Sequence, residues 1–233
     1  MKNWYCLFLL LFLLMPLDIS AQDSAEESGN WDNVMYVGNK VTWGKKKWMN
    51  SVEWQVRLNN DFKSLLQWQL EYVGSYLMSE HVEIVPDFRY TVKQNRYEFR
   101  PGLGVVLKHR TSRGQFTHQI KGQIDFKSSG PTTQVVRYFP SYNHLINKHW
   151  IGSLLLGSYY KFTPEKNGLE VLMAGVNAAY IVNKQHTVNL GYLYATQLNF
   201  VTNQRSNFGI IVARLIINIK KDYDYLPAKY FNF

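Results

Sequence analysis

Cysteine is nearly absent. The chain has 233 residues and one cysteine, Cys6, which lies among the first ten. A disulfide framework is therefore excluded, and so are cysteine-based metal sites. Long apolar runs are missing after residue 22. The most apolar stretch, 208–219, is interrupted by Arg214 and falls short of the roughly 20 residues that a spanning helix needs. Acidic residues are the minority, 17 Asp and Glu against 26 Lys and Arg, for a formal net charge of +9. An excess of this kind often signals nucleic acid, but here the lysines gather in turns (45–47, 93, 148, 184, 220–221) with no aromatic-plus-basic platform. No nucleic-acid partner is expected. Turn lysines suit anionic lipid headgroups, or serve solubility alone.

Chemistry-bearing motifs are also scarce. The histidines are His81, His109, His118, His144, His149 and His186, and no two have helical ligand spacing. His144 and His149 lie five apart with no carboxylate or cysteine nearby. No metal and no cofactor are expected. Gly102, Gly104 and Gly122 form no phosphate cradle; they fall inside strand-like segments, where glycine relieves crowding at a bend of a barrel wall. A rim serine paired with a histidine is the pattern of outer-membrane lipid hydrolases and acyltransferases. His109 with Ser112 and Ser141 with His144 are the nearest approaches, and Ser153 is a further serine. Neither pair matches His-x-Ser-Asn-Gly, so the expectation is a protein that is not an enzyme.

What is present is an export signal and a strand rhythm. Lys2, the apolar run 6–15, the breaker Pro16 and the small residues Ser20-Ala21 read as a signal peptide over 1–21, with Gln22 as the mature start. A membrane anchor would need a longer run. Cleavage removes Lys2 and Asp18 and leaves the net charge unchanged. An acidic arm is expected over 22–32, a barrel over 33–219, and a tail or last strand over 220–233.

From residue 48 to 126 apolar and polar residues alternate. Trp48, Val52, Trp54, Val56 and Leu58 share one face, with Asn50 the polar exception; Met49, Ser51, Glu53, Gln55 and Arg57 share the other. A period of two is a strand with one apolar and one polar face. The rhythm predicts strands near 33–43, 48–58, 64–77, 82–92, 97–108 and 116–127. Weaker ones follow near 135–142, 150–162, 169–182, 187–198 and 207–219. Thr163-Pro164-Glu165-Lys166-Asn167-Gly168 is a turn. Eleven candidates sit awkwardly with the even strand numbers of bacterial outer-membrane barrels. Ten result if the first segment is an arm, and twelve if part of 223–233 is a strand, against which Pro227 argues.

The expected fold is all-β: an antiparallel up-and-down transmembrane β-barrel of 10–12 strands. Runs of 10 to 14 residues suit tilted bilayer-crossing strands, whereas strands of globular proteins average roughly five or six. Strand-end aromatics (Trp43, Trp48, Tyr76, Trp150, Tyr160, Phe162) suit interfacial girdles. A soluble sandwich or barrel with an aromatic core is the competing reading.

Three features carry a resemblance: the signal ending Ala21-Gln22; turns such as Gly-Lys-Lys-Lys-Trp (44–48), Ile-Asn-Lys-His-Trp (146–150) and Val-Asn-Lys-Gln-His (182–186); and Ser75-Tyr76-Leu77 followed by Pro86-Asp87-Phe88-Arg89-Tyr90. Together they make the chain, over most of 31–219, resemble the domain of unknown function 2490 family of outer-membrane barrels. The resemblance implies a fold and a compartment, with no activity and no site residues. The tail 220–233 departs from the pattern of a chain that stops with its last strand.

If the apolar face meets lipid, then Glu53, Arg57, Glu71, Glu83, Asp87, Arg89, Glu98, Arg100, Lys121, Asp125 and Lys127 face the lumen. Mixed signs suggest ion pairs filling it, or else a narrow polar channel. Ten to twelve strands enclose more than an eight-strand barrel and far less than a porin. The expectation is a Gram-negative outer-membrane protein that is structural or a narrow small-solute pore. Its partners would be outer-membrane lipid and the outer-membrane insertion machinery. The alternatives are a lipid-modifying enzyme with a rim Ser/His pair and a secreted soluble barrel that binds a ligand. Oligomeric state is open.

Overall fold

The computed structural model describes residues 31–164, 166–200 and 202–223. The expected signal peptide, most of the arm and the proposed twelfth strand lie outside them. Eleven strands form one closed barrel: β1 (Trp31–Lys46), β2 (Trp48–Asn59), β3 (Ser64–Ser79), β4 (Val82–Lys93), β5 (Arg96–Arg110), β6 (Gly114–Lys127), β7 (Thr133–Leu145), β8 (Trp150–Phe162), β9 (Asn167–Ile181), β10 (His186–Leu198) and β11 (Arg205–Tyr223). Each strand pairs antiparallel with the next in sequence.

Closure departs from the expected even count and all-antiparallel pairing. β1 and β11 pair in parallel, from Trp31 opposite Asn207 to Lys46 opposite Tyr223, with one shift at Thr42/Trp43. The reason is geometric. Strands that alternate direction leave the first and the eleventh pointing the same way, so an odd barrel closes only through a parallel seam. The first segment is thus a strand, not an arm. β1 begins at Trp31 and β11 runs to Tyr223, beyond both expected barrel limits, because the seam pairs Lys45 with Asp222 and Lys46 with Tyr223 and so draws residues 220–223 into the wall.

Burial alternates along the strands with the period read from the sequence. On β2, Met49, Ser51, Glu53 and Gln55 are buried, whereas Trp48 and Trp54 are about half exposed. On the outside, β3 and β4 carry Trp68, Leu70, Tyr72, Phe88 and Tyr90, and β5 and β6 carry Phe99, Leu103, Val105, Ile120, Ile124 and Phe126. Among the described residues, no Asp, Glu, Lys or Arg takes an outward position in the middle of a strand. Outward rings meet near both ends of the barrel: across strands, Trp48 with Tyr76 and Trp150 with Tyr180, each at 4.8 Å, and along β8, Tyr160 with Phe162 at 5.0 Å.

Three prolines lie inside strands, where a missing N–H costs a ladder bond. Each lies where pairing to one neighbour is skipped without a register change. Pro86 faces Gly74 between the pairs Val73/Asp87 and Tyr76/Ile84. Pro101 falls in the step between Phe99/Phe126 and Gly102/Gln123. Pro140 falls between Tyr138/Ser158 and Ser141/Leu155. The opposite edge of each proline's strand stays paired, so the wall is continuous.

Candidate functional site

The inner face has two unlike halves. From β1 to β7 it is polar and charged. From β8 through β11, and onto the start of β1, an apolar patch stands among polar residues such as Lys161, Asn177, Asn189 and Arg214: Leu155, Leu193, Ala195, Ile210, Val212 and Val34 form a buried cluster with Phe139, against which Tyr36, Tyr159, Met173 and Phe208 pack. This is why the alternation fades after residue 130. Where both faces are apolar, a period of two has no polar phase to show it.

All eleven polar residues singled out in the sequence line the inside, and the fold brings most of them into ion pairs. Arg89 straddles Glu71, donating from Nη2 at 2.8 Å and from Nε at 3.2 Å. Lys121 Nζ lies 2.5 Å from Asp87. Arg100 Nε approaches Asp125 to 2.7 Å, a charge contact outside hydrogen-bond angles, and its Nη2 lies 3.7 Å from Glu98. Glu98 also meets Lys93 at 2.9 Å and Arg96 at 3.2 Å. Glu83 accepts from Lys108 at 2.5 Å and from Ser75 Oγ at 2.7 Å. Glu53 is held between two cations, Arg214 Nε at 2.8 Å and Lys40 Nζ at 3.4 Å. Arg57 and Lys127 form no ion pair among the described residues.

The sequence reading did not single out Lys40, Lys93, Arg96, Lys108, Arg137, Lys161, Glu170 or Arg214 as lumen residues. Arg214 did leave a signal, as the one charge in the most apolar run of the chain. A cation buried on the inner face must be paired, and here Arg214 meets Glu53, across the closing seam and one strand beyond.

Glycines set the room available. A Cβ on Gly102 would meet Lys121 Cε at 2.6 Å and Asp87 Oδ1 at 2.8 Å, so this glycine makes space for an ion pair that crosses it. Gly104 closes tightly on β6, its Cβ position 3.2 Å from the Ile120 carbonyl oxygen. Gly122 has nothing within 4 Å and relieves no crowding, contrary to expectation, because it faces outward.

The lumen is packed at one end and open at the other. At the end bearing the β1–β2, β3–β4 and β5–β6 turns, Val73, Val85 and Val106 form a buried cluster. Met49, Leu77, Ile151, Ala179 and Ile216 are buried at this end of the wall as well. At the other end, a cavity of about 500 Å³ opens between the two halves. Its basic side chains outnumber its acidic ones eight to four. A second cavity of about 470 Å³ adjoins it under the β10–β11 connection, sharing Lys127, Lys161, Glu170, Gln197 and Phe208.

The serines and histidines are not brought together. Ser141 Oγ pairs with Thr117 Oγ1 at 2.5 Å on the inner face, whereas His144, three residues on, turns the other way and meets the Tyr142 hydroxyl at 3.0 Å. His118 bonds the Tyr138 hydroxyl at 2.8 Å on the outside. His109 and Ser112 are both exposed, and Ser153 is buried. No histidine ring bonds a serine hydroxyl, and no three His, Cys, Asp or Glu side chains could hold a metal, among the described residues. Comparison with models of protein families and with curated proteins gives no match.

Proposed function

We propose that this chain is a Gram-negative outer-membrane β-barrel with a lumen plugged at one end and non-conducting, and with no catalytic centre, a structural wall protein rather than a pore. It would be exported by the signal over 1–21 and folded by the outer-membrane insertion machinery. Membership of the domain of unknown function 2490 family is part of the same proposal and rests on the turn and strand motifs above.

One observation carries the reading: the barrel is apolar outside and charged inside. Large side chains such as Leu103, Leu154, Leu156 and Leu190 stand more than half exposed on mid-strand outer positions. A soluble monomer rarely exposes a continuous apolar surface beyond a few hundred Å². A bilayer removes that cost, and only a closed sheet satisfies its backbone there. Strands of 12 to 19 residues are long enough to cross. The plug at one end is supported by the paired charges and the valine cluster.

The test is fractionation of the full chain. It should sediment with Sarkosyl-resistant membranes and migrate faster on gels before boiling than after. A freely soluble periplasmic product would overturn the membrane reading. In planar bilayers the purified protein should give no discrete conductance steps; steps would favour the narrow pore.

A further inference from the structure

The open cavity pairs an arginine cluster with an apolar wall. Arg57 on β2 and Arg137 on β7 both line it, together with Arg89, Arg100 and Tyr159. Arg89 and Arg100 have carboxylate partners. Arg57 and Arg137 have none among the described residues: Arg57 Nε donates to Gln55 Oε1 at 2.7 Å, and its guanidinium lies over the Tyr36 ring at 4.0 Å. Arg137 lies over Tyr159 at 4.4 Å, is 4 % exposed, and its buried Nε has no hydrogen-bond partner. A buried donor left unpaired is costly, and a guanidinium fork fits a carboxylate or phosphate with two parallel bonds. Opposite stand Met173, Leu193, Ala195, Phe208 and Ile210.

We propose that this cavity binds an organic anion with an apolar body, its acidic group on Arg137 and Arg57 and its body against β9–β11. The volume of about 500 Å³ is that of a small-molecule pocket and holds one acyl chain or a fused aromatic acid, not a two-chain lipid. Such a ligand has two sources, a fatty acid released from the bilayer or an aromatic acid from solution.

The site does not depend on the membrane reading, and its test is separate from it. Full-length protein with ¹⁵N-labelled arginine, in neutral micelles, is titrated with octanoate, 2-naphthoate, octanol and inorganic phosphate. Octanoate or 2-naphthoate should shift the Arg137 Nε–H resonance saturably, and which binds tighter identifies the source. Octanol and phosphate should each bind at least ten-fold more weakly, because each lacks one half of the recognition. Arg137→Gln should weaken binding ten-fold or more, and Ala195→Phe, which fills the apolar side, should do the same while leaving all the arginines in place. Equal binding of octanol or phosphate, or unaltered arginine resonances in the unmutated protein, would overturn the proposal. Because that last readout needs no variant, a substitution that fails to fold leaves the test intact.

Discussion

Glu53 shows what a single residue does in this wall. It is the shared anion of two cations, each about 1 % exposed in its side chain. Removing its charge takes this shared carboxylate from Lys40 and Arg214 in a low-dielectric interior. Breaking a buried pair in this way costs about 3–5 kcal/mol. Glu53→Gln should therefore lower the unfolding free energy of the refolded barrel, measured by urea titration, by about 3–5 kcal/mol. Adding Arg214→Gln should recover part of the loss, which a double-mutant cycle measures. Glycines give an opposed pair of expectations. A Cβ on Gly175 would stand 2.7 Å from the Tyr192 carbonyl oxygen, so Gly175→Ala forces backbone apart and should destabilise by about 1–3 kcal/mol. Gly122 meets nothing within 4 Å, and Gly122→Ala should be neutral or stabilise by up to about 1 kcal/mol, through the entropy glycine loses on folding. The same urea titrations check both.

Among the elements, the β1–β11 seam matters most, because it alone distinguishes an eleven-strand closure from the ten- or twelve-strand readings. Val37 stands opposite Ala213 in the parallel register. With Cys6 replaced by Ser, Val37→Cys plus Ala213→Cys should form a disulfide under mild oxidation and give a band shifted on non-reducing gels. Shifting one cysteine to Met35 should lose it, since Met35 pairs with Ile211 instead. The prolines belong to this scale too. Pro86, Pro101 and Pro140 all read as strand breakers in isolation, yet each occupies a step where one neighbour makes no ladder bond. The strand survives because its other edge is paired.

For the whole molecule, the two ends differ in packing, one closed by a valine cluster and the other open to a cavity. Lys45, Lys46, Lys47, Lys148 and Lys184 all lie in or beside the turns of the packed end, whereas Lys63, Lys93 and Lys166 lie at the open end, where Lys93 lines the cavity. Turn lysines at one rim suit a surface of anionic headgroups. The packed end also predicts an electrically silent barrel: no current steps in a bilayer at neutral pH. With the outer mid-strand positions free of Lys and Arg, trypsin should cut the folded protein only at turns and ends, leaving a core fragment that disappears on boiling. Extensive cleavage within β3–β6 before boiling would contradict the shielded lumen.

How much of this was legible in the sequence follows from which faces are mixed. On β2 to β6, outer residues are apolar and inner ones charged, so alternation alone assigns Glu53, Glu71, Asp87, Arg89, Glu98, Lys121 and Asp125 to one surface. Eleven candidate strands were visible for the same reason. On β8 to β11 much of the inner face is apolar as well, and the period carries little information about which side is which. Partners were illegible throughout. That Glu53 binds Lys40 on one side and Arg214 on the other requires the ends of the chain to meet, and that meeting is a long-range event with no local sequence signal. The same closure decided the parallel seam, the strand number and the placing of Arg57 and Arg137 on one cavity. Local alternation of polarity determined strands and faces; only the closed sheet decided which charges are neutralised and which two arginines are left to hold an anion.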